Sequence, residues 1–367
     1  MKKNIIIILK IFLIILAGIS LGKGIYNSYL YSHDFQYSPT VMAWSGQNHY
    51  QYMLDGGALM LSQNGEYGQA LHIIFYPFTL LSWDKAKILW MFINVILAFF
   101  LPIFLSKKIS LDNEKIFYLL AIFLAGTPSR NVIGNGQLSL VMMSFLILPF
   151  FYQRTFQIIL SGIVYLKYNI GYMLFLYFLS KKEIKNIFNS SIIFILGWLI
   201  YCFITNSNLI TNFTEPLRLT FHLKTTSELI YGFSFLKFIL DDFKYINYII
   251  LSLSIIFSFI LMLKIKDIKC NFVKLSLLCL IILIFSPHRM YDYILLLPLL
   301  TYSLKHLEKF SISKINVFLI SYIFFGLRLI KEFDVDIDNN IIIAFTNLFI
   351  FLFLFFTNYV FLLKRNS

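Results

Sequence analysis

His33-Asp34-Phe35-Gln36-Tyr37-Ser38-Pro39, with Trp44-Ser45-Gly46-Gln47-Asn48-His49-Tyr50 after it, opens the first polar stretch of the chain, directly behind an apolar N-terminal run. Asp34 therefore falls where a membrane surface meets water, with His33, Gln36 and Asn48 as sequence neighbours. A carboxylate at such a boundary loses part of its hydration, which raises its pKa towards the range of a general base acting on a hydroxyl. A helix cap or turn residue is the bland alternative, because Asp is common at both. Basic and amide groups recur further on: Arg130, Asn135 and Gln137 around Gly134-Asn135-Gly136-Gln137, Lys167 inside an apolar stretch, and His288, Arg289 and Asp292 in Ser286-Pro287-His288-Arg289-Met290-Tyr291-Asp292-Tyr293. One base and several cations suit a group transfer in which a hydroxyl is deprotonated while a departing phosphate is held.

The elements that must position these groups follow from composition. Of 367 residues, 59% are hydrophobic, 19% aromatic and only 13% charged, and many apolar runs approach spanning length, so the chain is an all-α polytopic membrane protein. The net charge of +13 does not point to nucleic acid. Lys and Arg fall in short clusters between apolar runs, as the positive-inside bias predicts. Cys202 and Cys279 lie in apolar runs and Cys270 in a basic loop, which leaves neither a disulfide framework nor a metal-ligand spacing. No cofactor or metal is expected. Lys2 and Lys3 before the first run imitate a signal peptide, but no A-x-A-like site follows Gly18 to Gly24, so the run reads as a retained anchor.

Residues 4–26 form the first span and, with Lys2 and Lys3 inside, place Asp34 on the outer face. The first outer loop, 27–85, carries juxtamembrane helices over 38–64 and an interfacial or re-entrant segment at 71–82, whose roughly 12 residues are too few to cross. In this loop Asn48, Tyr50 and His72 support the site, while Asp55, Glu66 and Asp84 share the region without an assigned part. Spans follow at 86–106, 114–127 and 138–152, the last two joined by an outer loop at 127–137 in which Gly134 and Gly136 supply turn flexibility. Residues 155–180 have basic flanks at both ends and are too short for two spans, so two half-helices should meet at Lys167-Tyr168-Asn169. A Lys at that depth is either functional or snorkelling.

Beyond span 188–204, a second outer loop at 205–245 carries the mixed charges Glu215, Arg218, His222, Lys224 and Glu228, read as a solvated surface. Spans at 246–263, 271–286, 292–304, 315–330 and 340–363 complete a single domain over 1–367, and Glu332-Phe333-Asp334-Val335-Asp336 forms an acidic outer loop. The sum is about twelve transmembrane or half-membrane helices. No P-loop or Rossmann glycine pattern is present, which excludes a nucleotide-driven motor.

In this arrangement the chain resembles the integral-membrane GT-C glycosyltransferases, and among them the family 87 (DUF2029) group that includes polyprenyl-phosphate-mannose-dependent mannosyltransferases. The resemblance rests on Asp34-Phe35-Gln36 with Gly46-Gln47-Asn48-His49-Tyr50, on Tyr76-Pro77 with Leu89-Trp90-Met91-Phe92-Ile93-Asn94, on Gly136-Gln137-Leu138, on Leu166-Lys167, and on Ser286-Pro287-His288 with Tyr291-Asp292. It implies that Asp34 is the catalytic base on an acceptor hydroxyl, that the donor is a polyprenyl-phosphate hexose such as mannose, and that the anomeric carbon inverts. Arg130, Gln137, Lys167, His288 and Arg289 are then the donor and phosphate contacts, with Asn48, Tyr50, His72, Asn135 and Asp292 in support. A glycolipid or glycan acceptor and a bacterial cytoplasmic membrane with the site facing outward complete the expectation. The chain departs from the family pattern at Tyr76-Pro77, where a second proline is usual, and at Lys167-Tyr168-Asn169, where a proline is usual. A lipid-linked glycan polymerase or flippase is the rival reading. A transporter fits less well, because the ionisable residues gather at the outer ends of spans rather than at mid-membrane.

Overall fold

The computed structural model describes residues 2–60, 63, 65–222, 231–240, 243, 245–331 and 339–366. Among the described residues every regular element is a helix. α1 (Lys2–Leu30) is a single apolar helix. Four short helices follow it, α2 (Tyr37–Trp44), α3 (His49–Leu54), α4 (Gln69–Ile74) and α5 (Tyr76–Thr79), and then the long α6 (Trp83–Lys108). α7 (Asn113–Ala125) and α8 (Thr127–Asn135) form a pair bent by 55°. α9 (Ser139–Leu146), α10 (Leu148–Phe151) and α11 (Thr155–Ser161) run into a 3₁₀ turn at Gly162–Leu166, after which α12 (Tyr168–Ser180) begins. α13 (Ile184–Ile204), α14 (Leu209–His222), α15 (Leu236–Ile239), α16 (Ile246–Ile265) and α17 (Asn271–Phe285) follow. A second 3₁₀ turn at Met290–Leu296 leads to α18 (Leu297–Lys305), α19 (Ser311–Lys331) and α20 (Asn339–Asn366).

Burial sorts these helices into two kinds. Every residue of α17 from Phe272 to Phe285 is buried, as expected of a helix that is apolar all round and therefore belongs at the centre. At 15 residues it is only about 22 Å long, short of the roughly 30 Å hydrocarbon thickness. α1 is the opposite case: only 6% of its most apolar window is buried, so side chains such as Ile8, Phe12 and Ile15 are left for lipid while Leu21 and Ile25 pack against the core. Among the described residues five helices are long and apolar enough to cross a membrane, and the bent α7–α8 pair makes a sixth if it is one span. The chain is thus an all-α integral membrane protein, but the expected count of about twelve spans is not supported. Helices such as α9, α11 and α17 are apolar without the length to cross alone.

Other expectations are corrected by local chemistry. Residues 127–131 are not a loop, because Pro128 stands in the first turn of α8, where its missing N–H costs nothing and its fixed φ favours the helix. Gly134 lies within α8 rather than in a turn, and a β-carbon there would come within 3.1 Å of Asn27 Cβ on α1. The stretch 205–245 contains α14, whose Glu215 is only 4% exposed and accepts from Asn48 Nδ2 (2.9 Å) and Asn212 Nδ2 (2.6 Å). Glu215 is therefore an interior hydrogen-bonded anchor, not part of a solvated surface. Lys224, Glu228 and the acidic segment 332–336 lie outside the described residues.

Residues 71–82 form two short helices with a turn between them, and 155–180 breaks at Lys167 as the basic flanks require. The topology expected from the basic clusters, in which 155–180 enters and returns, puts Asp112 and Lys182 on one face of the membrane. Single cysteines placed at these positions, in a protein freed of Cys202, Cys270 and Cys279, are expected to react together with an impermeant reagent from one side only. Labelling from opposite sides contradicts the return of 155–180.

Candidate functional site

Five separate returns of the chain meet behind α1. The Asp34 N–H donates to the Asn135 carbonyl at 2.9 Å, so the loop is docked on the C-terminal end of α8. Gly136 closes that helix in the left-handed region (φ 69°), and a β-carbon on it would stand 3.1 Å from Phe35 Cβ. Only glycine meets both demands at low cost. Trp90 of α6 fastens the joint, donating Nε1–H to the Gly136 carbonyl (2.7 Å) and stacking on Phe35 with ring centroids 5.3 Å apart. The residue after the cap, Gln137, is thereby fixed beside Asp34.

Gln137 is 1% exposed. Its Oε1 accepts from Tyr67 Oη at 3.1 Å, whereas Nε2 is buried without completing a regular hydrogen bond. Burial raises the half-buried Asp34 carboxyl above its ordinary value of 3.8, while the Gln137 amide and the charges of Arg289, Lys167 and His33 pull it back. A desolvated carboxylate is more basic than usual, and facing cations favour its ionised form.

Lys167 stands at the break before α12 with extended backbone (φ −110°, ψ 93°). It is 5% exposed, and Nζ donates to Asp292 Oδ1 (2.5 Å) and Ser139 Oγ (2.8 Å) beneath the Tyr291 ring (5.1 Å to the centroid). Ser139 Oγ also donates to Asp292 Oδ1 at 2.6 Å, and the Arg289 N–H reaches Asp292 Oδ2 at 3.4 Å, so one carboxylate collects three elements. Arg289 itself is exposed, and its charge acts on Asp34. His288 donates Nδ1–H to the Ser286 carbonyl (2.8 Å), and burial lowers its pKa below 6.5. The neutral ring then keeps a lone pair on Nε2 and offers a phosphate no charge.

The remaining expected residues are spread around this centre. Arg130 is on α8, about 9 Å along the axis from Gly136, with Nη2 3.5 Å from Thr127 Oγ1; the cations acting on Asp34 are Arg289, Lys167 and His33. Asn48 caps α3 by accepting from the Tyr50 and Gln51 N–H groups and turns its amide to Glu215, so it does not flank Asp34. Tyr50 donates its hydroxyl to the Tyr67 carbonyl (2.5 Å), and His72 Nδ1 bonds Thr40 Oγ1 (3.1 Å). Burial holds His72 well below 6.5 and His49 at about 3, so both rings are neutral packing elements under the loop.

Sequence reasoning missed Glu66, Tyr67 and Ser139. Glu66 is not a bystander like Asp55, which is exposed and accepts from Gln51 Nε2, or Asp84, which pairs with Lys87 at 2.8 Å. It senses the charges of Arg289, Asp34 and Lys167. The legible signal was Gly65-Glu66-Tyr67-Gly68, an acid held between two glycines.

The model of glycosyltransferase family 87 matches residues 67–287, more than half of the sequence. The chain belongs to glycosyltransferase family 87. No curated protein and no solved structure matches it. The family 87 match covers Gln137, Ser139 and Lys167 and stops short of Asp34, Glu66, His288, Arg289 and Asp292. Asp292 of the second set meets Ser139 and Lys167 of the first directly, and Asp34 lies beside Gln137.

Proposed function

We infer that this family 87 enzyme moves a hexose, mannose being the first candidate, from a polyprenyl-phosphate donor to a hydroxyl of a glycolipid or glycan at the outer face of a bacterial cytoplasmic membrane. The observation that carries the reading is the desolvated Asp34 carboxylate beside Gln137, with the Arg289 and Lys167 charges acting on the same place. In the reaction, Asp34 takes the proton of the acceptor hydroxyl as its oxygen attacks the anomeric carbon. The C–O bond to phosphate breaks on the opposite face, and the configuration inverts. Developing charge on the leaving phosphate needs a cation; Arg289 is the first choice, because its side chain is exposed whereas Lys167 is buried against Asp292. The long apolar helices fit a donor delivered within the bilayer.

The test is purified protein in lipid vesicles given labelled polyprenyl-phosphate mannose, polyprenyl-phosphate glucose or the matching nucleotide sugars. Transfer from a lipid phosphate and not from a nucleotide is expected. Transfer only from a nucleotide sugar, or a product with retained configuration, contradicts the proposal. Oligosaccharide blocks in place of single hexoses would favour the polymerase reading. Because the base acts when ionised and burial raises Asp34, the acid limb of kcat/KM should bend above the ordinary 3.8. A profile flat down to that value would contradict Asp34 as the base.

A further inference from the structure

Glu66 is the one acid beside Asp34 that the reaction above does not use, and its backbone is held tightly. The Gly65 carbonyl accepts from His49 Nε2 (3.1 Å), and the Tyr67 carbonyl accepts from Tyr50 Oη (2.5 Å). Tyr67 Oη donates to Gln137 Oε1 (3.1 Å), and the Gly68 N–H donates to the Leu166 carbonyl (2.9 Å), one residue before Lys167. Both glycines are close approaches: a β-carbon on Gly65 would meet His49 Cδ2 at 2.6 Å, and one on Gly68 would meet Leu166 Cα at 3.3 Å. Four hydrogen bonds thus fix the residues on either side of a half-buried carboxyl that makes no hydrogen bond or ion pair with another described residue.

A second group is also left over. Gln137 Nε2, on a side chain 1% exposed, lies beside Asp34 with no regular partner. A fixed carboxyl with no protein partner among the described residues, and a buried amide N–H that reaches only towards Asp34, describe a place built for hydroxyl groups, which donate to the one and accept from the other. A departing phosphate is a poor occupant for Glu66, because like charges repel. In an inverting displacement the base and the leaving phosphate stand on opposite sides of the anomeric carbon, so a carboxyl next to Asp34 is on the acceptor's side.

Resting on the reading of Asp34 as the base, we propose that Glu66 binds a second hydroxyl of the acceptor, adjacent to the one Asp34 deprotonates, so that the acceptor is a sugar or polyol with vicinal hydroxyls. Burial raises the Glu66 carboxyl above 4.5; Arg289 pulls it back, Asp34 raises it again and Lys167 lowers it. Glu66 is then a positioning residue, and its removal acts on acceptor capture rather than on the chemical step.

The experiment uses the full-length protein, a labelled polyprenyl-phosphate hexose that the wild type accepts, and glycans and glycolipids extracted from source-cell membranes as acceptor. Half of the extract is oxidised with periodate and reduced with borohydride, which cleaves vicinal diols and leaves isolated hydroxyls. Glu66→Gln should raise the half-saturating extract concentration by about 10- to 100-fold, the worth of a hydrogen bond to a charged group. Its maximal rate and half-saturating donor concentration should stay close to wild type, Glu66→Asp should recover part of the loss, and the oxidised extract should fail with the wild type. Unchanged acceptor saturation in Glu66→Gln, a shift in donor saturation instead, or full use of the oxidised extract overturns the proposal while leaving Asp34 in place. No transfer by the wild type from any lipid-phosphate hexose overturns both.

Discussion

Lys167→Met is expected to destabilise the protein by about 3–5 kcal/mol, the usual result of removing one partner of a buried ion pair. Lys167 and Asp292 are 5% and 1% exposed, and Nζ and Oδ1 are 2.5 Å apart. Without the ammonium, Asp292 keeps only Ser139 Oγ and a long bond from the Arg289 N–H, too little to hold a buried negative charge. The loss is of a partner, not of a phosphate contact alone, and a second variant separates the two. Lys167→Met combined with Asp292→Asn removes both charges and retains the acceptor oxygen for Ser139, giving up only the long bond from the Arg289 N–H. Thermal unfolding in vesicles should show the double variant much closer to wild type than Lys167→Met. If transfer stays low in that stable double variant, the Lys167 charge also serves the reaction; full recovery of transfer assigns it to architecture only. Equal stability of Lys167→Met and wild type would contradict the buried pair.

What the sequence made legible is what periodic hydropathy and rigid residue types record. The apolar runs gave α1, α6, α13 and α16 nearly to their ends, because spans of that length have no other stable state in a bilayer. The break at Lys167 was legible too, since basic flanks at both ends of 155–180 and its short length leave little else. Gln137 and Asp292 stood out as polar residues at outer span ends, but their bonds did not. Asp292 pairs across 125 positions of sequence and Ser139 across 153, and no local pattern encodes such distances. The start of α8 was not legible in the expected loop at 127–137, because a proline in the first turn of a helix and a proline in a turn look alike without the contacts around them. Glu215 and Glu66 were misjudged for one reason: charge alone reads as solvation, and only the fold shows Asn48 and Asn212 closing over the first and the clamped Gly65-Glu66-Tyr67-Gly68 turn holding the second.

The second large effect belongs to Asp34. Asn keeps its size, keeps the backbone bond to Asn135 and keeps the ability to cap a helix, so folding and donor binding should survive Asp34→Asn. What Asn lacks is basicity. The desolvation that raises Asp34 makes the carboxylate a stronger base, and removing it should lower transfer by about 10²–10⁴-fold, the range of general-base catalysis. Asp55→Asn, at an exposed side chain bonded only to Gln51 among the described residues, should leave turnover unchanged. If a neutral base did this work instead, His288 with its Nε2 lone pair is where it would be found.

The most direct measurement is the turnover number of purified Asp34→Asn protein in lipid vesicles, with labelled polyprenyl-phosphate hexose and saturating acceptor. Thermal stability and donor binding are checked against the wild type in the same preparation. Turnover below about 1% of wild type with both controls intact is the expected result; near-normal turnover would contradict Asp34 as the base.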